Sequence, residues 1–211
     1  MIPTRAEWEG ALIDRHGEER QRAFLNATVA VCGLGGLGSN IATALTRAGI
    51  GKLILIDFDK VDITNLNRQQ YKMKQLGMDK TEAMSENLRE ISPYTDIETH
   101  TVKLYEGNIP ELLAEADIIC EAFDKADQKS LLVNTVLETF PDKYIISGSG
   151  MAGFESANMI QTRKSIGKLY VCGDGKSDVN DGIGLVASRV MVCAAHEAHI
   201  VLRILSGELE V

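Results

Sequence analysis

The chain has 211 residues, 45% of them apolar and 25% charged, with a formal net charge of −8. This is the balance of a soluble globular protein with a full core, long enough for one large α/β domain. The negative charge, relieved by no basic run, argues against a nucleic-acid partner and against an anionic membrane surface.

Residues 1–27 read as a polar helical segment anchored by Trp8, Leu12, Phe24 and Leu25, with no apolar run of the kind a signal peptide needs. Cytoplasmic location is therefore expected. A β-prone run at 28–32 (TVAVC) then meets Gly33-Leu34-Gly35-Gly36-Leu37-Gly38, and a helical pattern follows over 37–48. Strand, glycine turn and helix in that order open a nucleotide-binding βαβ unit. Gly33 serves the tight turn, Gly35 and Gly36 let phosphates reach the backbone, and Gly38 lets the helix pack on its strand. Ser39 follows within the first helical turn, where N–H groups and the helix dipole favour an anion.

A second buried strand at 52–56 (KLILI) ends at Asp57, 19 residues beyond Gly38, where such units place an acid against ribose hydroxyls. The polar stretch DFDKVDITNLNRQQY carries Asp59, Asn65, Arg68 and Gln69, and a helix opens at Lys80 and closes at Ser92-Pro93. Strands are expected at 97–102, 117–120 and 144–147, with a short helix at 109–114 and a longer one at 126–139. Strands alternating with helices imply a doubly wound, Rossmann-like, mostly parallel sheet. After SGSGMAG the rhythm changes to two late strands, 158–163 and 168–172, with no helix between them. A polar glycine-rich loop covers 173–184, and a long final helix begins near 185. With no repeat and no linker, the chain reads as one domain.

The apolar stretch 185–205 contains Arg189, His196, Glu197, His199 and Arg203, which favours a packed helix over a membrane span. Cys193, His196 and His199 invite a metal reading, but positions six apart lie roughly 120° apart around a helix, so packing is expected instead. Cys32, Cys120, Cys172 and Cys193 form no CxxC pair, so no thiolate zinc site is expected.

Ligands in such sheets gather beyond the carboxyl ends of the strands, which converges the glycine turn, Asp57, Asp59, Arg68, Lys80 and Asp124. Two cations and several carboxylates around a phosphate turn point to a triphosphate with Mg²⁺ more than to a dinucleotide, with Asp124 as a hard oxygen ligand. GLGGLGS, DFDKVDITNLNRQ, the helix-opening Lys80 and the Asp124 of EAFDKAD, in that order, resemble the ThiF/MoeB-type adenylyltransferases of the ubiquitin-activating-enzyme superfamily. The resemblance implies that Asp57 binds the ATP ribose, that Asn65, Arg68, Gln69 and Lys80 hold the phosphates, and that Asp124 holds Mg²⁺. It implies adenylation of the C-terminal Gly-Gly carboxylate of a small ubiquitin-like sulfur carrier. It further implies a homodimer in which an N-terminal arginine reaches the partner's ATP; Arg15 is chosen over Arg20 and Arg22 because a glycine turn follows it.

The four-cysteine zinc site common in that family is missing, which resembles the shorter variant of thiamine biosynthesis with a ThiS-like carrier and a cysteine desulfurase as a possible sulfur donor. Cys172 is the nearest match to the family's loop thiol, against a structural role at a strand end. Two rivals stay open: an NAD-dependent oxidoreductase, from the glycine turn plus Asp57, and a non-catalytic nucleotide-binding scaffold.

Overall fold

The computed structural model describes residues 2–180 and 182–211. Met1, in the expected N-terminal helical segment, and Asp181, in the expected glycine-rich loop, lie outside the described residues. The first 27 residues form two helices, α1 (Arg5–His16) and α2 (Glu18–Asn26), broken at Gly17, whose φ of 83° ends the first helix. Thr4 and Glu7 close a reciprocal capping box on α1.

The alternating elements follow: β1 (Thr28–Cys32), α3 (Gly36–Ala48), β2 (Lys52–Ile56), α4 (Lys80–Ile91), β3 (Asp96–His100), α5 (Ile109–Leu112), β4 (Ile118–Glu121), α6 (Ala126–Thr139) and β5 (Tyr144–Gly148). Two late strands, β6 (Gln161–Lys164) and β7 (Leu169–Gly173), precede α7 (Ala187–Leu205). The seven strands lie in the order β3-β2-β1-β4-β5-β7-β6. All pairs are parallel except β6–β7. The sheet is therefore doubly wound and mostly parallel as expected, with the antiparallel element confined to the β6 edge. Expected residues 158 and 159 fall instead in a 3-10 turn, Ala157–Met159, before β6. Strand β3 starts and stops earlier than expected, because its register is set by pairing with β2, Lys52 opposite Asp96 through Ile56 opposite His100.

Alternation along each strand sends side chains to two cores. Val29, Val31, Leu53, Leu55, Ile118 and Ile146 face α3, α4 and α7, while Ala30, Cys32, Ile54, Ile56, Ile119 and Ile145 face α5 and α6. Helices α1 and α2 dock at the amino end of the sheet, where Gln21 donates to the carbonyls of Ala48 and Gly49. No helix among the described residues is long and apolar enough to cross a membrane.

Candidate functional site

The chain leaves β1 to one side through β2 and to the other through β4, so a crevice opens beyond the carboxyl ends of those two strands. The glycine turn fills it. Gly33 has φ 92°, and a methyl there would lie 2.9 Å from the Ala122 carbonyl oxygen, so the turn and the end of β4 touch. A methyl on Gly38 would lie 1.8 Å from the Gly33 carbonyl oxygen, which only glycine avoids. No side chain caps α3 at Gly35, and its first N–H groups face the crevice end of the helix.

The loop after β2 is fastened onto this turn. Tyr71 Oη donates to the Leu34 carbonyl (2.7 Å), and the Gln70 N–H donates to Ser39 Oγ (3.2 Å). Arg68 and Gln69 are thereby laid against the glycines. The aliphatic part of Arg68 lies 3.5 Å from a methyl position on Gly36, and Gln69 Nε2 lies 3.8 Å from one on Gly35. Arg68 Nη1 donates to Thr64 O and Asn67 Oδ1, while its buried Nε and Gln69 Oε1 have no partner. The unmatched Arg68 Nε–H, a buried donor beside a helix N-terminus, fits an anionic occupant, while Gln69 Oε1 can only accept and calls for a donor.

Asp57 ends β2 with both oxygens engaged, Oδ2 by the Leu34 N–H (2.6 Å) and Oδ1 by the Asp59 N–H (2.7 Å). Burial pushes its carboxyl above the usual range, opposed by the Lys80 ammonium and these two N–H donors. Lys80, buried at the start of α4, pairs with Asp59 at 2.9 Å. Asn65 accepts from the Asp62 N–H and so caps a turn of its own loop. Asp124 lies exposed just past β4, next to the glycine turn through Phe123. Among the described residues no three His, Cys, Asp or Glu side chains form a metal-binding group. Mg²⁺ at such a site takes one or two carboxylates and draws its remaining oxygens from phosphates and water, so a lone Asp124 fits that ion.

Two expected residues fall elsewhere. Arg15 is exposed on α1, and α1–α2 dock at the amino end of the sheet. The crevice lies at the opposite, carboxyl end, so Arg15 is not part of it within one chain. Cys172 lies where the strand-end alternative put it and not in a mobile loop: it is the fourth residue of β7, fully buried, paired in parallel with Gly148 of β5. Burial, helped by the nearby Glu197, pushes its thiol up to about 12. His196 bonds to Thr162 Oγ1 (3.0 Å) and Cys193 is buried, as packing on α7 predicts, whereas His199 is exposed and is not packed within the chain.

Several polar residues around the crevice carry no motif in the sequence. Glu121, fully buried at the end of β4, accepts from the Phe123 N–H (2.7 Å) and pairs with Lys129 (2.7 Å), which fixes the approach to Asp124. Arg189 of α7 is buried against Asp174 (2.6 Å), and the neighbouring Val190 packs on Gly36. Their positions follow from the fold, and no spacing in the sequence announces them.

Comparison with known proteins places these features. The ThiF family model matches residues 10–211. The adenylyltransferase and sulfurtransferase MOCS3 of Caenorhabditis briggsae is 32% identical over 142 residues, 66% of this chain and 35% of that protein. Ubiquitin-like modifier-activating enzyme 5 of Branchiostoma floridae is 37% identical over 129 residues, 61% of this chain and 31% of that one. The aligned part thus spans about a third of the length of these curated relatives. Among solved structures, E. coli tRNA N6-threonylcarbamoyladenosine dehydratase, TcdA, in complex with ATP, superposes with a TM-score of 0.87 at 22% identity, covering 99% of this chain and 98% of that one. E. coli MccB with MccA-N7isoASN gives 0.70 at 21%, covering 90% and 60%. These two likenesses establish the fold, and the family match, which takes in the glycine turn, the NLNRQ loop and α7, establishes kinship: the chain belongs to the ThiF family.

Proposed function

We propose that this chain is a single-domain, cytoplasmic ATP-dependent adenylyltransferase that activates the C-terminal Gly-Gly carboxylate of a ThiS-like, ubiquitin-fold sulfur carrier for thiamine biosynthesis. The observation that carries the reading is that Arg68 lies against Gly36 with its buried Nε–H donor unpartnered beside the uncapped start of α3, and Gln69 Nε2 lies against Gly35. A nicotinamide oxidoreductase gives that arrangement, and Lys80 and Asp124 with it, no task. A carboxylate arrives ionised, since its unperturbed pKa is about 3.5, and needs no general base. Its oxygen attacks the α-phosphorus, the bond to the β-phosphate oxygen breaks, pyrophosphate leaves, and an acyl-adenylate remains. The chain's work is alignment and charge neutralisation. The α3 amides, Arg68 and Gln69 hold phosphate oxygens, Lys80 adds a compact charge, and Asp57 faces the ribose.

Mg²⁺, held by Asp124, would supply charge neutralisation at the phosphates. In this scheme the protein is a homodimer, and Arg15 of each copy serves the partner's site. The scheme assigns Cys172 no step. Relatives bearing the names MOCS3 and ubiquitin-like modifier-activating enzyme 5 support a ubiquitin-fold substrate, while TcdA and MccB show that other substrates use the same fold. The test is ATP–pyrophosphate exchange with purified small proteins ending in Gly-Gly. Stimulation by a ThiS-like carrier is expected. Exchange without carrier dependence, or reduction of bound NAD in its place, would overturn the reading.

A further inference from the structure

Arg68 and Gln69 do not hold themselves in place; neutral amides on either side do. Asn40, on the second turn of α3 and 9% exposed, donates through Nδ2 to Gly36 O (2.7 Å) and Arg68 O (3.2 Å). Its Oδ1 accepts from Gln70 Nε2 (2.7 Å). From the opposite side, Asn87 of α4 donates to the Gln70 carbonyl (2.8 Å) and is itself paired with Gln75. The backbone is therefore gripped at residues 68 and 70, on both sides of Gln69, and tied to the carbonyl of Gly36.

We infer that Asn40, with Gln70, is a positioning residue that sets the distance between the Arg68–Gln69 pair and the start of α3. The inference rests on the adenylation reading for its kinetic consequence, though not for its geometry. Only a primary amide of this length both donates to two carbonyls and accepts from a third group: aspartate lacks the donors and leucine lacks both functions. The clamp is also uncharged, so it fixes a cation beside a polyanion without competing for it. A carboxylate at position 40 would repel the same phosphates the loop is built to meet.

The test uses Asn40→Ala, Gln70→Ala and the double variant in the full chain. Amide hydrogen exchange at residues 68–71 should quicken by about tenfold, the scale of one lost hydrogen bond, while residues 41–46 of α3 keep their protection. In carrier-dependent pyrophosphate exchange, kcat should fall about a hundredfold, the scale of a displacement near 1 Å, with KM for ATP near the wild-type value. The double variant should lose little more than the worse single, because both act through one contact. A purely structural role would lower the folded fraction and leave kcat per folded molecule unchanged. That result, or unchanged exchange at 68–71, would overturn the inference. Hydrogen exchange needs no turnover, so a wild-type protein unable to exchange pyrophosphate would sink the adenylation reading and still leave the clamp decided. If Asn40→Ala does not fold, Gln70→Ala, altered outside any helix, removes the Gln70–Asn40 bond alone and should give the same changes in smaller measure, its failure to quicken exchange at 68–71 overturning the inference.

Discussion

Two loops lie at the carboxyl end of the sheet, residues 57–79 and the stretch after β7, 174–180, and different chemistry ties each to its neighbouring helix. The first is bound to α3 and the turn before it by neutral hydrogen bonds, at Ser39 and Asn40 of the helix and from Tyr71 to the Leu34 carbonyl, while its ion pair, Asp59 with Lys80, runs to α4. The second is bound to α7 by a buried ion pair, Asp174 with Arg189. Asp174 also accepts from the Lys176 and Ser177 N–H groups, and Arg189 donates to the Ala152 carbonyl. Neutral bonds can sit beside phosphates without disturbing their charge, and the segment bearing Arg68 uses them. A buried ion pair is far costlier when broken by loss of one partner, so the second segment depends on Arg189 for its stability.

The comparison breaks most visibly at Arg189. Arg189→Met should leave Asp174 buried without its cation and cost about 3–5 kcal/mol, read as a lowered denaturation midpoint. A midpoint within error of wild type would mean that the pair does not hold the segment. In the first segment the loss should appear in activity with the fold kept. Arg68→Ala should lower pyrophosphate exchange by about 10²–10³-fold, the range for removing one charge-stabilising donor, at unchanged thermal midpoint. Asp124→Asn should likewise stay folded and lose Mg²⁺-dependent exchange. A near wild-type rate in either would remove that residue from the site.

The proposed part of Arg15, at the amino end of the sheet, is tested by mixing two variants. Arg15→Ala and Asp124→Ala homodimers should each be nearly inactive. Their mixture should recover activity after subunit exchange, since one site in each mixed dimer keeps both residues. No recovery in verified heterodimers would exclude Arg15.

The ion pair should also make the second segment sensitive to acid. Burial alone would raise the Asp174 carboxyl, yet the Ser177 and Lys176 N–H groups and Arg189 outweigh it and hold it well below the usual carboxylate range. A folded pKa below the unfolded value, about 3.9, gives stability that is fully present above that pH and lost as pH falls toward the folded value. The stability gap between wild type and Asp174→Asn should therefore be constant from neutral pH to about 5 and narrow below about 4. A gap that widens in acid would reverse the assignment.

The smallest expected effect is on the thiols. All four cysteines are buried, and burial pushes each above its ordinary range. The folded protein should resist iodoacetamide near pH 8, and four thiols should label after denaturation. Rapid labelling of Cys172 in the native state would return it to the chemistry.

What the sequence determines here is local. Four glycines within six positions, a β-prone run before them and a helical period after them require a strand, a turn and a helix, because backbone sterics act over a few residues. The alternation of strands and helices then fixes a parallel sheet and the end at which a ligand gathers. Tertiary structure alone decided the rest. The expected strand 168–172 left Cys172 either structural or reactive, and pairing with β5 decided for the core. Gln70 and Asn87 are unremarkable letters in polar stretches, and they gain a role only where α3 and α4 bring 40, 70 and 87 together. Asp174 and Arg189 lie 15 residues apart with no motif between them. A side chain's partner is set by which elements pack, and packing depends on the whole sheet, which no stretch of residues specifies by itself.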